Sequence, residues 1–200
     1  MNGYLAMTVK TKAEIVFEEF CNSNNLRWEK IKDGENRTPD YKIYLGSELV
    51  FVEIKQIDKD ENFGPESSSR TVGSHIRRRI HSARKQVQVG SNEGAPSVLL
   101  VYNNLDPWQA FGTEQHDFID AMYGERTVVF NKDINAITDS FQGRNRSLEE
   151  EKNTSFSAVG LLHKRKDKAG VHVYENVFAK NPLDFSKIPN CIEVTRIKIE

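Results

Sequence analysis

Asp40 follows a proline, and thirteen residues later Glu53-Ile54-Lys55 lies in an apolar run. Side chains alternate between the two faces of a strand. Val50, Val52 and Ile54 therefore point one way and Phe51, Glu53 and Lys55 the other. Two carboxylates and an ammonium at the end of a buried sheet suit a divalent cation and a phosphodiester. Mg²⁺ takes oxygen ligands and keeps several waters, so one or two carboxylates plus a substrate phosphate suffice. Asp40 and Glu53 supply those two, and the backbone carbonyl of Ile54, beside the Glu53 side chain, is a natural third ligand. Without a metal, two close carboxylates repel and at least one pKa rises. Lys55, on the same face as Glu53, can orient a water or neutralise a transition state.

Pro39, Asp40, Glu53 and Lys55 together resemble the signature of the PD-(D/E)xK nuclease superfamily, over about the first hundred residues. The resemblance implies an α/β, restriction-endonuclease-like fold: an α-β-β-β-α-β core whose mixed central sheet is flanked by helices. It also implies metal-dependent hydrolysis of DNA phosphodiester bonds, with Mg²⁺ as cofactor and Mn²⁺ as substitute. The first helix of such proteins often adds a glutamate to the site. Glu14, Glu18 and Glu19 are the candidates, and Glu14 is preferred because it opens the apolar run. The second helix often offers a Gln or Lys, here Gln86.

The elements that must position these residues are legible as patterns. Residues 11–24 carry Ile15, Val16, Phe17 and Phe20, compatible with one buried helical face. A strand is expected over 26–31, then a turn at 33–36. Residues 41–45 and 49–54, joined by Gly46-Ser47-Glu48, read as a hairpin. A polar loop, mobile without a ligand, is expected over 58–73. A helix over 74–89, N-capped by Ser74, follows; its stripe of Ile76, Ile80, Ala83 and Val87 should pack on the sheet. The apolar run 98–102 reads as a central strand. After it come a helix over 114–123, a strand at 126–130, a loop over 139–154, an antiparallel pair at 155–163 and 171–179, and a last strand at 192–199. The whole reads as one domain, with a core over about 11–131 and a β-rich C-terminal extension over 132–200.

Net charge is −1, but it is segregated: no acid lies between Glu66 and Glu93. That stretch holds Arg77, Arg78, Arg79, Arg84 and Lys85, suited to sequence-independent contact with a nucleic-acid backbone. By helical geometry Arg79 and Gln86 share one flank of the buried stripe, Arg77 and Arg84 the other. DNA is the expected partner, and a homodimer would let two copies of one site cut both strands. No apolar run is long enough to cross a bilayer, and no signal peptide is evident. Cys21 and Cys191 stand alone, as in a reduced cytoplasmic protein. His116, Asp117 and Asp120 read as the outer face of a helix rather than a second metal cluster, and Trp28 and Trp108 as core. The competing readings are a catalytically inactive nucleic-acid-binding or protein-interaction module of the same fold, and a nuclease for RNA or branched DNA.

Overall fold

The structure, a computed structural model, describes residues 10–32, 37–64 and 66–197. The turn expected at 33–36 lies outside them. Helix α1 (Lys12–Ser23) starts at Thr11, whose hydroxyl accepts from the Glu14 N–H while the Glu14 carboxylate accepts from the Thr11 N–H. This reciprocal capping box satisfies two otherwise orphaned donors. Its buried face is Ala13, Val16, Phe17, Phe20 and Cys21. Ile15 is exposed instead, because three successive residues cannot share one face of a helix with a 3.6-residue period.

Strands β1 (Arg27–Lys30), β2 (Tyr41–Leu45) and β3 (Glu48–Ile57) form an antiparallel meander. The β2–β3 connection is two residues, with Gly46 at φ +62° and Ser47 at negative φ. That is the arrangement of a type II′ turn, which needs glycine at its first central position. Helix α2 (Ser74–Asn92) then leads to β4 (Ser97–Asn103), which pairs parallel with β3. Ser74 is the first helical residue rather than the cap; Gly73, at φ +71°, holds the N-cap position without a side-chain bond. The expected stripe Ile76, Ile80, Ala83 and Val87 is fully buried.

Helix α3 (Gln115–Tyr123) precedes a two-stranded ribbon, β5 (Arg126–Asn131) and β6 (Ala136–Gln142), that stands apart from the main sheet. Residues 136–142, expected in part as loop, are thus a strand. Strands β7 (Ala158–Arg165), β8 (Lys168–Glu175) and β9 (Ile192–Thr195) complete one seven-stranded mixed sheet of order β1-β2-β3-β4-β7-β8-β9. The C-terminal half is therefore not an appended extension: β7 pairs parallel with β4 at the centre of the sheet.

Helix α1 covers one face of the sheet, packing Val16, Phe17 and Phe20 against Val50, Val52, Ile54 and Leu100. Helices α2 and α3 cover the other, over Ile57, Leu99, Val101 and Val159. Each large apolar side chain so buried contributes roughly 1.5–3 kcal/mol, which makes these two layers the main hold on the strand that carries Glu53. No described helix is long and apolar enough to cross a membrane.

Candidate active site

Register brings Asp40 to Glu53. Tyr41 opposes Val52 in the β2–β3 ladder, so the preceding residue, Asp40, falls opposite Glu53, and opposed residues share a face. The Asp40 carboxylate is anchored there, its Oδ2 accepting the Ile54 N–H at 2.7 Å. N–H and C=O of one strand residue point to the same edge, so the Ile54 carbonyl is directed to the Asp40 side. Two carboxylates and a carbonyl thus converge where the spacing of Pro-Asp and Glu-x-Lys places them.

Glu53 is buried, 2% exposed. Its Oε1 lies 2.6 Å from the Lys55 ammonium, while Oε2 is sealed from solvent with no donor. Burial, and after it the negative charge of Asp40, pushes the Glu53 carboxyl up to about 7, against the pull of Lys55. The two carboxyls are close enough to share a proton. Asp40 is raised as well, by burial, which outweighs the Ile54 N–H and the nearby Lys55 and Lys30. A buried acid with an unsatisfied oxygen beside a second acid is a costly arrangement in a bare protein.

Of the three candidate glutamates, Glu14 is the one whose charge reaches Asp40. Its carboxylate is already held by Thr11 and by the Lys30 ammonium at 2.5 Å. Burial alone would raise its pKa, but hydrogen bonds from Lys30 and Thr11 hold it below the usual carboxylate range. Glu18 pairs instead with Lys10 and accepts from the Tyr41 hydroxyl, and Glu19 pairs with Lys164. Lys30 was not anticipated. Its position opposite Tyr41 in the β1–β2 ladder sets it beside Glu14, and its charge reaches Asp40; only knowledge of that register would have shown it.

Helix α2 runs antiparallel to β3. A Cβ on Gly90 would meet the Phe51 ring at 2.5 Å, and His75 lies 2.6 Å from Asp60 just past the other end of the strand. From the Phe51–Gly90 contact, two strand residues advance roughly 6.6 Å, about four helical residues at 1.5 Å each. Gln86 therefore lies level with Glu53. The Gln86 Oε1 and the Arg79 Nε, on the same flank, are buried without partners, as is Glu53 Oε2.

The five cations of α2 do not form one surface. Arg77 donates to the Val72 and Asp120 carbonyls, and so is tied into the fold. It also lines, with Arg84, His81, Arg146 and Lys152, a cleft of about 320 Å³. Arg79 is half-buried, whereas Arg78, Arg84 and Lys85 are exposed.

A second acidic group, Glu114, His116 and Asp117, has ligand atoms within 4.8 Å of one another. Asp117 is not on an outer face as expected. It is fully buried and accepts from the Gly73 N–H at 2.8 Å, the Glu114 N–H at 3.1 Å, and Arg70. Arg70 also donates to Glu114 at 2.6 Å. A guanidinium already neutralises this cluster, and its bonds tie the 58–73 loop to α3. Trp108, expected in the core, is 83% exposed, presented by a loop whose N–H groups at 108, 110 and 111 all bond the buried Asp106 carboxylate.

No family model, no curated protein and no solved structure matches the chain.

Proposed function

We propose that this protein is a Mg²⁺-dependent nuclease of the PD-(D/E)xK type, with a restriction-endonuclease-like core, that hydrolyses DNA phosphodiester bonds. The observation that carries the reading is the unpartnered Oε2 of buried Glu53 beside Asp40. Two buried acids and a strand carbonyl are an all-oxygen donor set, suited to Mg²⁺ and to Mn²⁺ as its substitute. Asp40, Glu53 and the Ile54 carbonyl would hold the ion. When bound, Mg²⁺ lowers the pKa of a water and offsets the charge that develops on the phosphorus oxygens.

The remaining work falls to the chain's own groups. The Ile54 N–H fixes the orientation of Asp40. Lys55 holds Glu53 by one oxygen and leaves the other free to ligate. Its ammonium is partly open to solvent, so it can also donate to the attacking water or to a non-bridging phosphate oxygen, in the way preorganised donors stabilise transition-state charge. Gln86 offers an amide at the same level of the sheet. Glu14 keeps Lys30 in place rather than joining the ligand set, its oxygens being engaged already. Arg78, Arg84 and Lys85 meet the backbone of the nucleic acid.

The test is cleavage of plasmid and of linear single- and double-stranded DNA with Mg²⁺, Mn²⁺ or EDTA, for wild type and Lys55→Ala. Metal-dependent cutting that the substitution abolishes supports the reading. Wild type and variant equally inert on every substrate would overturn it.

A further inference from the structure

The cleft of about 320 Å³ beside Arg77 opens between α2 and the 143–153 loop. Four cations line it, Arg77, Arg84, Arg146 and Lys152, together with His81, and among the described residues no acid does. The chain as a whole is nearly neutral, so this lining is not an average sample of its surface. A cleft lined by one sign of charge focuses the field and concentrates the opposite charge.

The cations are positioned by groups that do not neutralise them. Arg77 donates to the Asp120 carbonyl at 3.3 Å, Arg146 to the Gly143 carbonyl at 3.1 Å and to that of Gln142, and Lys152 to the Arg146 carbonyl at 2.6 Å. A carbonyl orients a cation and leaves its unit charge in place. Gly143 and Gln142 take only two of the five N–H donors of Arg146. The loop is pinned in turn, the Ser147 and Leu148 N–H groups bonding the Ala121 and Met122 carbonyls at the end of α3. Two carboxylates lie near: Glu125 is 3.6 Å from Arg77, and Glu149 is 3.0 Å from Lys152. The first contact is long, and the second is an exposed pair of the kind that contributes little. Arg70 shows the opposite condition, its guanidinium closed between Asp117 and Glu114.

We infer that this cleft seats a phosphate of the nucleic-acid strand, on the far side of α2 from the Glu53 site. The identity of the strand rests on the nuclease reading; the cleft itself does not. Arginine N–H groups pair with phosphate oxygens, and such contacts are independent of sequence. By helical geometry Arg78 and Lys85 stand on the exposed crest of α2, between the Gln86 flank beside Glu53 and the Arg84 flank on the cleft. A strand that crosses this crest covers about 10–12 Å, the width of a helix with its side chains. At about 3.4 Å per nucleotide, the cleft phosphate lies about three nucleotides from the scissile one.

The test is fluorescence anisotropy of a labelled DNA duplex in EDTA over a range of NaCl concentrations, for wild type, Arg84→Gln, Arg146→Gln and Lys187→Gln. Without metal nothing is cut, so binding is read apart from cleavage. Arg84→Gln and Arg146→Gln should each bind about tenfold more weakly, the scale of one lost charge-assisted hydrogen bond. Their plots of log affinity against log salt should be shallower by about 0.9, the worth of one phosphate contact. Lys187→Gln, in the segment whose neighbours pack on the α1 side of the sheet, should bind as wild type does. Arg84 is an exposed helical residue, so its variant reports the cleft even if Arg146→Gln disturbs the loop. Cleft variants that bind and respond to salt as wild type does overturn the proposal, and leave the nuclease reading intact where wild type cuts DNA. A loss confined to Arg146→Gln reports a shifted loop and overturns it as well. Calorimetry with pyrophosphate separates the strand from a free phosphate compound: pyrophosphate binding without DNA binding overturns the strand as occupant. DNA binding that both cleft variants weaken, in a wild type that cuts nothing, keeps the cleft and removes the nuclease reading.

Discussion

Two acidic clusters among the described residues, around Glu53 and around Asp117, are of similar composition and opposite condition. Around Asp117 every acceptor has its donor: two backbone N–H groups and a guanidinium converge on one buried carboxylate. Around Glu53 one oxygen has Lys55, and the other has no donor, only a second carboxyl close enough to share a proton with it. Convergence of acids therefore does not by itself mark a site. A saturated buried acid ties elements together, here a loop and two helices. An unsaturated one beside a second acid lacks a counter-charge, and a divalent cation is the partner that supplies it.

Removing either acid of the Glu53 cluster should lower the rate without lowering stability, and removing the Asp117 cluster should lower stability. The largest effect is expected from Asp40→Asn and Lys55→Ala. Each should lower the DNA cleavage rate by about 10²–10³-fold or more, the scale seen when one charge-stabilising donor is lost, and Asp40→Asn should not lower the unfolding midpoint. Glu114→Gln should leave the rate within about twofold. Next is Asp117→Asn, which leaves Arg70 without its buried counter-ion. Urea unfolding should show a loss of about 2–4 kcal/mol, and Mg²⁺ affinity should be unaltered.

Glu53→Gln sharpens the contrast through pH. The folded pKa of Glu53 is raised from 4.5 to about 7, so its contribution to stability is intact below 4.5 and is lost as pH rises through 7. In EDTA the wild type should become less stable from pH 5 to pH 8. The glutamine variant should escape that loss, gaining up to about 3 kcal/mol at pH 8 at 1.36 kcal/mol per unit. Chemical denaturation at the two pH values measures it. The smallest effect is expected from Gln86→Leu: about a tenfold slower rate with no loss of stability, since an unpartnered buried amide oxygen is removed along with its desolvation cost.

How much of this was legible in the chain depends on how local the cause was. The face carrying Glu53 and Lys55 follows from strand alternation, and the α2 stripe from helical spacing; both are where those periods put them. Asp40 reaches Glu53 because a two-residue turn sets the hairpin register, a cause only a few residues long. Asp117 is different. Its partners Arg70 and Gly73 are 47 and 44 residues away, and its one local bond, from the Glu114 N–H, is as compatible with a solvated helix end as with a buried one. Trp108 read as core because tryptophan usually is; its exposure follows from the Asp106 bonds that close its loop. The run Thr127–Phe130 has the β-branched and aromatic composition of a sheet strand, yet it sits in the ribbon outside the sheet. Composition reports the conformation of a strand and not its partner.

The measurement that tests the central claim most directly is a calorimetric titration of Mn²⁺ or Mg²⁺ into wild type, Asp40→Asn and Glu114→Gln. Wild type and Glu114→Gln should bind the ion alike and Asp40→Asn should not. Binding that survives Asp40→Asn and disappears in Glu114→Gln would place the ion at the Asp117 cluster, and the distinction between a saturated and an unsaturated acid would fall with it.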